Sequence, residues 1–154
     1  LGASGGVEEL EGDLGNAEQS SRVQAVCDFF GPTDLVKLVE QGGRNIDIAA
    51  NSPVVRLLGG PVERKRRLAE SANPIAYITK DDPPFLIMHG DQDPLVPLSQ
   101  SRLLHEALEK GGVKSNLYIV KGAGHGFVPS GDMARTIVDF FDRNLKPATS
   151  SQPD

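Results

Sequence analysis

The sequence contains a single cysteine, no tryptophan and few aromatic residues among its 154 positions. One thiol cannot form an internal disulfide, and a lone thiolate argues against a cysteine-based metal site. Because Cys27 lies within an apolar run, we interpret it as a small core residue. No stretch approaches the roughly 20 apolar residues needed to cross a bilayer, so we expect no membrane span.

The chain also lacks a concentration of positive charge. Its formal net charge is −5, and the one basic run, at 64–67, is flanked by Glu63 and Glu70. We interpret that run as the solvated face of a helix. The charge distribution therefore provides no footprint for nucleic acid or for an anionic membrane surface.

Metal and cofactor signatures are missing as well. His89, His105 and His125 are spread along the chain, without the compact spacing of a metal site. We expect neither a metal nor a cofactor. The chain opens with Leu1, which we interpret as an interior point of a longer protein, so the sequence leaves the compartment open, cytoplasmic or secreted.

The most informative stretch is 83–97, an apolar run between prolines that ends in Gly, Asp and Pro. Such a pattern is typical of a strand buried on both faces of a parallel sheet. Its carboxyl end carries Asp91 and Asp93. In open α/β sheets chemistry takes place outside the carboxyl ends of the strands, so these acids are candidate functional residues.

The remaining pattern predicts one α/β domain over 1–154 with about three parallel strands. In chain order we expect a loop at 1–22, a strand at 23–30, a helical excursion over the sheet at 41–80, the strand just described, a helix at 99–110, a strand at 116–121, a helix at 133–145 and a disordered tail at 147–154. Right-handed crossovers would bring Asp34, Asp93 and His125 to one edge of the sheet.

An aspartate and a histidine at the ends of neighbouring parallel strands can form a hydrogen bond. The carboxylate then fixes the imidazole tautomer and stabilises the imidazolium that forms when histidine accepts a proton from a nucleophile. The glycines around His125 allow the sharp turn that would present its ring. For Asp93 a turn-forming role before Pro94 is the alternative, and for His125 a solvated loop position is the alternative.

Other polar residues have simpler interpretations. We expect Asp91 to serve the turn, Asp34 to cap a helix, and His89 to be a partly buried histidine with its hydrogen bonds satisfied. His105 is interpreted as a surface residue of the helix.

Two motifs together resemble a known family. The order His-Gly-Asp-x-Asp-x-x-Val-Pro at 89–97, a helix, and then Gly-x-Gly-His-Gly-Phe at 122–127 is similar to the C-terminal part of α/β-hydrolase fold serine esterases and lipases. The likeness is to the group that includes feruloyl and acetyl-xylan esterases and is related to prolyl oligopeptidase. It extends from about 5 to 146 and includes 28–34. It implies a doubly wound, mainly parallel sheet, with Asp93 as the triad acid and His125 as the base.

The nucleophile of that family is a serine in Gly-x-Ser-x-Gly, and residues 2–6 match this motif around Ser4. We disfavour Ser4 because a nucleophile elbow needs a strand before it and a buried helix after it. Only Leu1 precedes the motif, and the residues that follow are acidic and interrupted by glycine. We therefore expect the nucleophile upstream of this chain.

The resulting hypothesis is a serine carboxylester hydrolase that acts on a small-molecule or carbohydrate ester. The alternative is a non-catalytic or complementing hydrolase fragment that pairs with another chain, either a second copy or the missing N-terminal half. An exposed sheet edge would favour such pairing. A receiver-like domain with acidic strand ends is the third possibility, and we rank it low because it would give the glycine-flanked histidine no role.

Overall fold

The computed structural model describes residues 2–12, 15–16, 18–41 and 52–146. Within them, three parallel strands form one sheet in the order β1-β2-β3. The strands are β1 (Val26–Phe29), β2 (Phe85–Gly90) and β3 (Ser115–Val120). The helices are α1 (Glu8–Glu11), α2 (Leu35–Glu40), α3 (Pro53–Leu58), α4 (Arg66–Ser71), α5 (Leu98–Lys110) and α6 (Gly131–Leu145), and Pro74–Tyr77 forms a 3-10 turn.

The central strand β2 is buried along its whole length. Alternate residues pack on opposite faces, as the pleat of a strand requires. Phe85 and Ile87 contact the apolar side of α5, whereas Leu86 and Met88 contact that of α6. Burying each of these side chains contributes about 1.5–3 kcal/mol, so this strand anchors both layers.

A second apolar cluster joins the excursion to the turn that follows β2. Val96, from that turn, packs against residues of α2, α3, α4 and the loop before α4, namely Leu35, Leu38, Val54, Leu58, Val62 and Ala69. The excursion therefore supports the segment that carries Asp93. Ser52 caps α3 by accepting a hydrogen bond from the Val55 amide, and Gly59 ends that helix in the left-handed conformation.

The α/β class and the three parallel strands predicted from the pattern are confirmed. The last strand begins one residue earlier than predicted, at Ser115, and the last helix begins two residues earlier, at Gly131. In its described part, 52–80, the predicted excursion contains helices and no strand. Residues 42–51 and the predicted tail at 147–154 lie outside the described residues. Among the described helices, none combines the length and apolarity that a bilayer crossing requires.

Candidate active site

Asp93 and His125 meet at the carboxyl edge of the sheet. The Nδ1 atom of His125 lies 2.8 Å from Oδ2 of Asp93, although 32 positions separate them in the chain. The Asp93 side chain is fully buried, whereas 31% of the His125 side chain is exposed. The carboxylate is therefore enclosed, while the imidazole ring is partly exposed and its Nε2 has no hydrogen-bond partner among the described residues.

The other oxygen of Asp93 is used by its own turn. Oδ1 accepts hydrogen bonds from the amides of Leu95 at 2.8 Å and Val96 at 2.9 Å. Aspartate favours this local pattern because its short side chain reaches amides two and three positions later. One oxygen of Asp93 therefore shapes the turn and the other faces His125.

His89 lies directly behind Asp93 and is completely buried. Its Nε2 is 2.8 Å from the Val96 carbonyl and 3.4 Å from Oδ2 of Asp93, and its Nδ1 is 2.6 Å from Oγ of Ser101. A carbonyl can only accept, so Nε2 donates a hydrogen bond to it, and Nδ1 and the Ser101 hydroxyl form a second hydrogen bond. The expected satisfied histidine is confirmed, but it is more deeply buried than expected.

Asp91 links the turn that follows β2 to the loop that follows β3. Its Oδ1 accepts a hydrogen bond from the Gly122 amide at 2.7 Å, and Oδ2 lies 3.2 Å from Nζ of Lys121. The Gly122 hydrogen bond, followed by Lys121, holds the pKa of Asp91 below its usual value. The predicted turn role of Asp91 is therefore extended to the loop that carries His125.

Close backbone contact at Gly90 completes this link. A Cβ added at Gly90 would lie 2.7 Å from the carbonyl carbon of Ala123 and closer still to its oxygen. That same oxygen accepts a hydrogen bond from the Gln92 amide at 2.9 Å. The loop at 122–126 can cross the end of β2 only because Gly90 has no side chain.

An aromatic cluster flanks His125. The ring centroid of Phe30 lies 4.4 Å from that of His125 and 5.2 Å from that of Phe127. Phe30 has a φ of 43°, the one positive value at a non-glycine position in the described part of the chain. Phe30 is not part of either sequence motif of the site, and the Phe-Gly-Pro that follows a strand is the signal in the sequence for an unusual turn.

Asp34 lies after β1 and caps α2 by accepting from the Lys37 amide, as predicted. Its own amide and that of Thr33 donate to Oε1 of the buried Gln100, at 2.8 and 2.9 Å. His105 is only partly exposed, and its Nδ1 lies 2.9 Å from Oγ of Ser115. The structure thus brings Asp93 and His125 into contact and gives Asp34 and His105 structural partners.

The segment that leads into Ser4 contacts the amino ends of β1 and β2. Gly2, two positions earlier, packs against Val26 and Phe85, the first residues of β1 and β2. The length of β2 separates that end from Gly90, about 16 Å at the usual rise per residue. The helix after Ser4 has four residues, none of them buried. A nucleophile elbow would instead have its helix packed under the sheet.

Asp28, on β1, is a second buried carboxylate. Its Oδ2 has no hydrogen-bond partner among the described residues. Burial raises the pKa of Asp28, against the smaller opposing effects of His89 and the Gly31 amide. Asp28 also lines a cavity of about 190 Å³ that includes Ser4 and Pro32. In the described ranges no cluster of three or more His, Cys, Asp or Glu side chains could hold a metal ion.

Comparison with known proteins agrees with this architecture. Esterase LipC of Mycobacterium tuberculosis is 31% identical over 107 residues, which are 68% of this chain and 26% of that protein. A bifunctional GH43-CE protein of Bacteroides eggerthii has a TM-score of 0.81 and 34% identity over 94% of this chain and 21% of its own. A truncated carbohydrate esterase from gut microbiota has a TM-score of 0.79 and 32% identity over 93% of this chain and 53% of its own.

The matched segments span between 16% and 26% of the curated relatives' lengths. The sequence profile of the BD-FAE family matches residues 1–108, which include all of β1 and β2, the Asp93 turn and most of α5. This match, the parallel sheet and the esterase relatives together establish the assignment. The chain belongs to the BD-FAE family of hydrolases and has the α/β-hydrolase fold.

Proposed function

We propose that this chain supplies the acid and the base of a serine carboxylester hydrolase. The observation that supports the proposal is the 2.8 Å contact between Oδ2 of Asp93 and Nδ1 of His125. The carboxylate is buried and its second oxygen is occupied by two amides, whereas the outer face of the imidazole is accessible. A general base needs this combination of a fixed inner side and an open outer nitrogen.

In the proposed reaction His125 accepts a proton from a serine hydroxyl through Nε2 while that serine attacks the ester carbonyl. Asp93 accepts a hydrogen bond from the Nδ1–H group of His125. This hydrogen bond selects the tautomer and stabilises the imidazolium. His125 then protonates the leaving alcohol. Water, activated by the same imidazole, releases the acid product and regenerates the serine.

We propose that the nucleophilic serine lies on polypeptide that precedes this sequence. Ser4, the one serine in a Gly-x-Ser-x-Gly motif, comes two positions after Gly2, which packs against the first residues of β1 and β2. The short solvent-exposed helix after it also argues against an elbow. The matched segments cover only 16% and 26% of two esterase relatives, so most of each relative lies outside the match and could contain an elbow.

The proposed substrate class is a short acyl ester or an acetylated or feruloylated sugar. Two structural neighbours above 30% identity support this class, because one is described as a carbohydrate esterase and the other as a bifunctional GH43-CE protein. The absence of a basic surface stripe favours a neutral ester over a polyanionic substrate.

A fluorophosphonate probe tests the assignment. We expect no adduct on this chain and no turnover of p-nitrophenyl acetate above background. A longer chain that adds the segment encoded upstream is expected to gain both, and His125→Ala in it should remove turnover. An adduct on Ser4 that disappears in Ser4→Ala would overturn our placement of the nucleophile. A longer chain that forms no adduct would overturn the hydrolase proposal.

We also propose, as a second possibility, that the chain pairs with another polypeptide. In the described sheet β1 has a neighbour on one side only, so its other edge is available for strand pairing. Size-exclusion chromatography with light scattering should then give a mass above that of one chain. A monodisperse monomer at both low and high concentration would exclude stable self-association.

A further inference from the structure

Phe30 has an unusual backbone for its residue type. Its φ of 43° falls in the left-handed region, which glycine and asparagine enter readily and which a bulky side chain avoids. Strain of this kind persists only where the surroundings hold the residue in place, and it is concentrated at functional sites. The position of Phe30, immediately after β1, is at the same sheet edge as His125.

The neighbouring hydrogen bonds explain how the conformation is held. The Phe30 amide donates to the Met88 carbonyl at 2.8 Å, so the ladder between β1 and β2 continues through it. The next residue is Gly31, where an added Cβ would lie 2.5 Å from Oδ1 of Asp28. Glycine at 31 avoids this contact with the Asp28 carboxylate, and the positive φ lies on Phe30 and not on this glycine.

The consequence of this turn is a ring contact with the proposed base. The Phe30 and His125 rings are 4.4 Å apart at 56°, and the Phe127 ring packs edge-on against Phe30 at 5.2 Å. Phe30 is thus wedged between the base and a second aromatic ring.

A single hydrogen bond to Asp93 leaves the imidazole able to change its plane by small rotations about its side-chain bonds. The Phe30 ring, whose centroid lies 4.4 Å from that of the imidazole at a tilt of 56°, restricts these rotations because it occupies the space beside the imidazole. Correct orientation of a general base is worth large factors in rate. We propose that Phe30 is a positioning residue that fixes the plane of His125, so that Nδ1 stays on Asp93 and Nε2 keeps one direction. This inference rests on the proposed function only for its effect on turnover.

The test compares three variants in which ring and backbone are changed separately. Phe30→Asn tolerates the positive φ but removes the ring, whereas Phe30→Tyr retains the ring. Phe29→Leu is the matched control, because Phe29 belongs to the same aromatic cluster and does not contact His125. The readout is the Nδ1 proton signal of His125 in ¹⁵N-histidine-labelled protein, which is visible while that proton is held by the carboxylate.

We expect the signal to be lost in Phe30→Asn and retained in Phe30→Tyr and Phe29→Leu. If Phe30→Asn does not fold, Phe30→Leu replaces it, since leucine retains apolar bulk without a flat ring. A signal that survives in a folded ring-free variant, or that disappears equally in Phe29→Leu, would overturn the proposal.

The spectroscopic measurement needs no nucleophile, so it is independent of whether the protein hydrolyses esters. In a longer chain that is active, the ring-free variant should lower kcat by about tenfold to a hundredfold with little change in KM. Absence of any turnover in the unsubstituted longer chain would count against the hydrolase and leave the positioning result standing.

Discussion

Replacement of Gly90 by alanine should separate the two halves of the proposed site. An added Cβ would lie 2.7 Å from the carbonyl carbon of Ala123. Ordinary contacts between a carbon and a carbonyl oxygen are about 3.3 Å or longer, and the Ala123 oxygen would lie closer to the added Cβ than its carbon does, so the loop at 122–126 has to move by roughly 1 Å. Both groups in the collision are backbone or Cβ, and neither can rotate away.

The expected change in the free energy of unfolding combines two losses and one smaller gain. Overpacking of this kind costs about 1–3 kcal/mol, and the hydrogen bond from the Gln92 amide to the Ala123 carbonyl, now 2.9 Å long, would contribute about 1 kcal/mol more when lost. Alanine recovers about 0.4–1 kcal/mol by restricting the unfolded chain. We therefore expect Gly90→Ala to lower the free energy of unfolding by about 2 kcal/mol. The same shift would lengthen the 2.8 Å contact between Asp93 and His125 beyond hydrogen-bonding range.

Urea unfolding followed by circular dichroism measures the first effect, and the Nδ1 proton signal of His125 reports the second. Gly124→Ala is the matched control, because a Cβ there meets its nearest atoms at 3.8 Å. That variant should stay within about 1 kcal/mol of the parent protein and keep the signal. If Gly90→Ala were as stable as Gly124→Ala and kept the His125 signal, the close approach would not be what positions the loop.

Three further outcomes are expected. Burial raises the pKa of Asp28, so its contribution to stability is full below the ordinary value of 3.8 and is lost as pH rises through the raised value. Asp28→Asn should therefore unfold at higher urea than the parent at pH 7, with the difference disappearing near pH 3. Burial raises the pKa of Cys27 to about 11 from 9.0, so its reaction with a disulfide reagent at pH 8 should be about a hundredfold slower in the folded than in the unfolded protein. Gln100→Leu should cost about 2–4 kcal/mol in urea unfolding, because it leaves the amides of Thr33 and Asp34 without their acceptor.

The local pattern was sufficient for the elements of the fold. The run at 83–97 predicts a strand buried on both faces, and every residue of β2 is buried. Apolar spacing predicts the helix at 99–110, and α5 spans Leu98–Lys110. These predictions succeed because a strand or helix imposes its own period on the residues that form it. Element ends were displaced by one to three residues, the most at the first strand, which was predicted to begin at 23 and begins at Val26, since they depend on caps and neighbouring loops.

The site was predictable as a pair of residues but not as a geometry. Gly-Asp-x-Asp and Gly-x-Gly-His-Gly mark Asp93 and His125, and parallel strands bring them to one edge. Their catalytic role stays a prediction. Nothing in the pattern indicated that the buried His89 would contact the same carboxylate, because that contact also requires Ser101 and Val96 to be in place.

The sequence by itself determined the α/β class, the central strand and the residues delivered to its carboxyl end, because periodicity and turn chemistry act between near neighbours. Tertiary structure alone decided which oxygen of Asp93 faces His125, why Gly90 must lack a side chain, and why Phe30 accepts a strained φ. Each of these depends on groups from distant parts of the chain that come within a few ångströms. Such contacts are set by packing of whole elements, and no local pattern contains them.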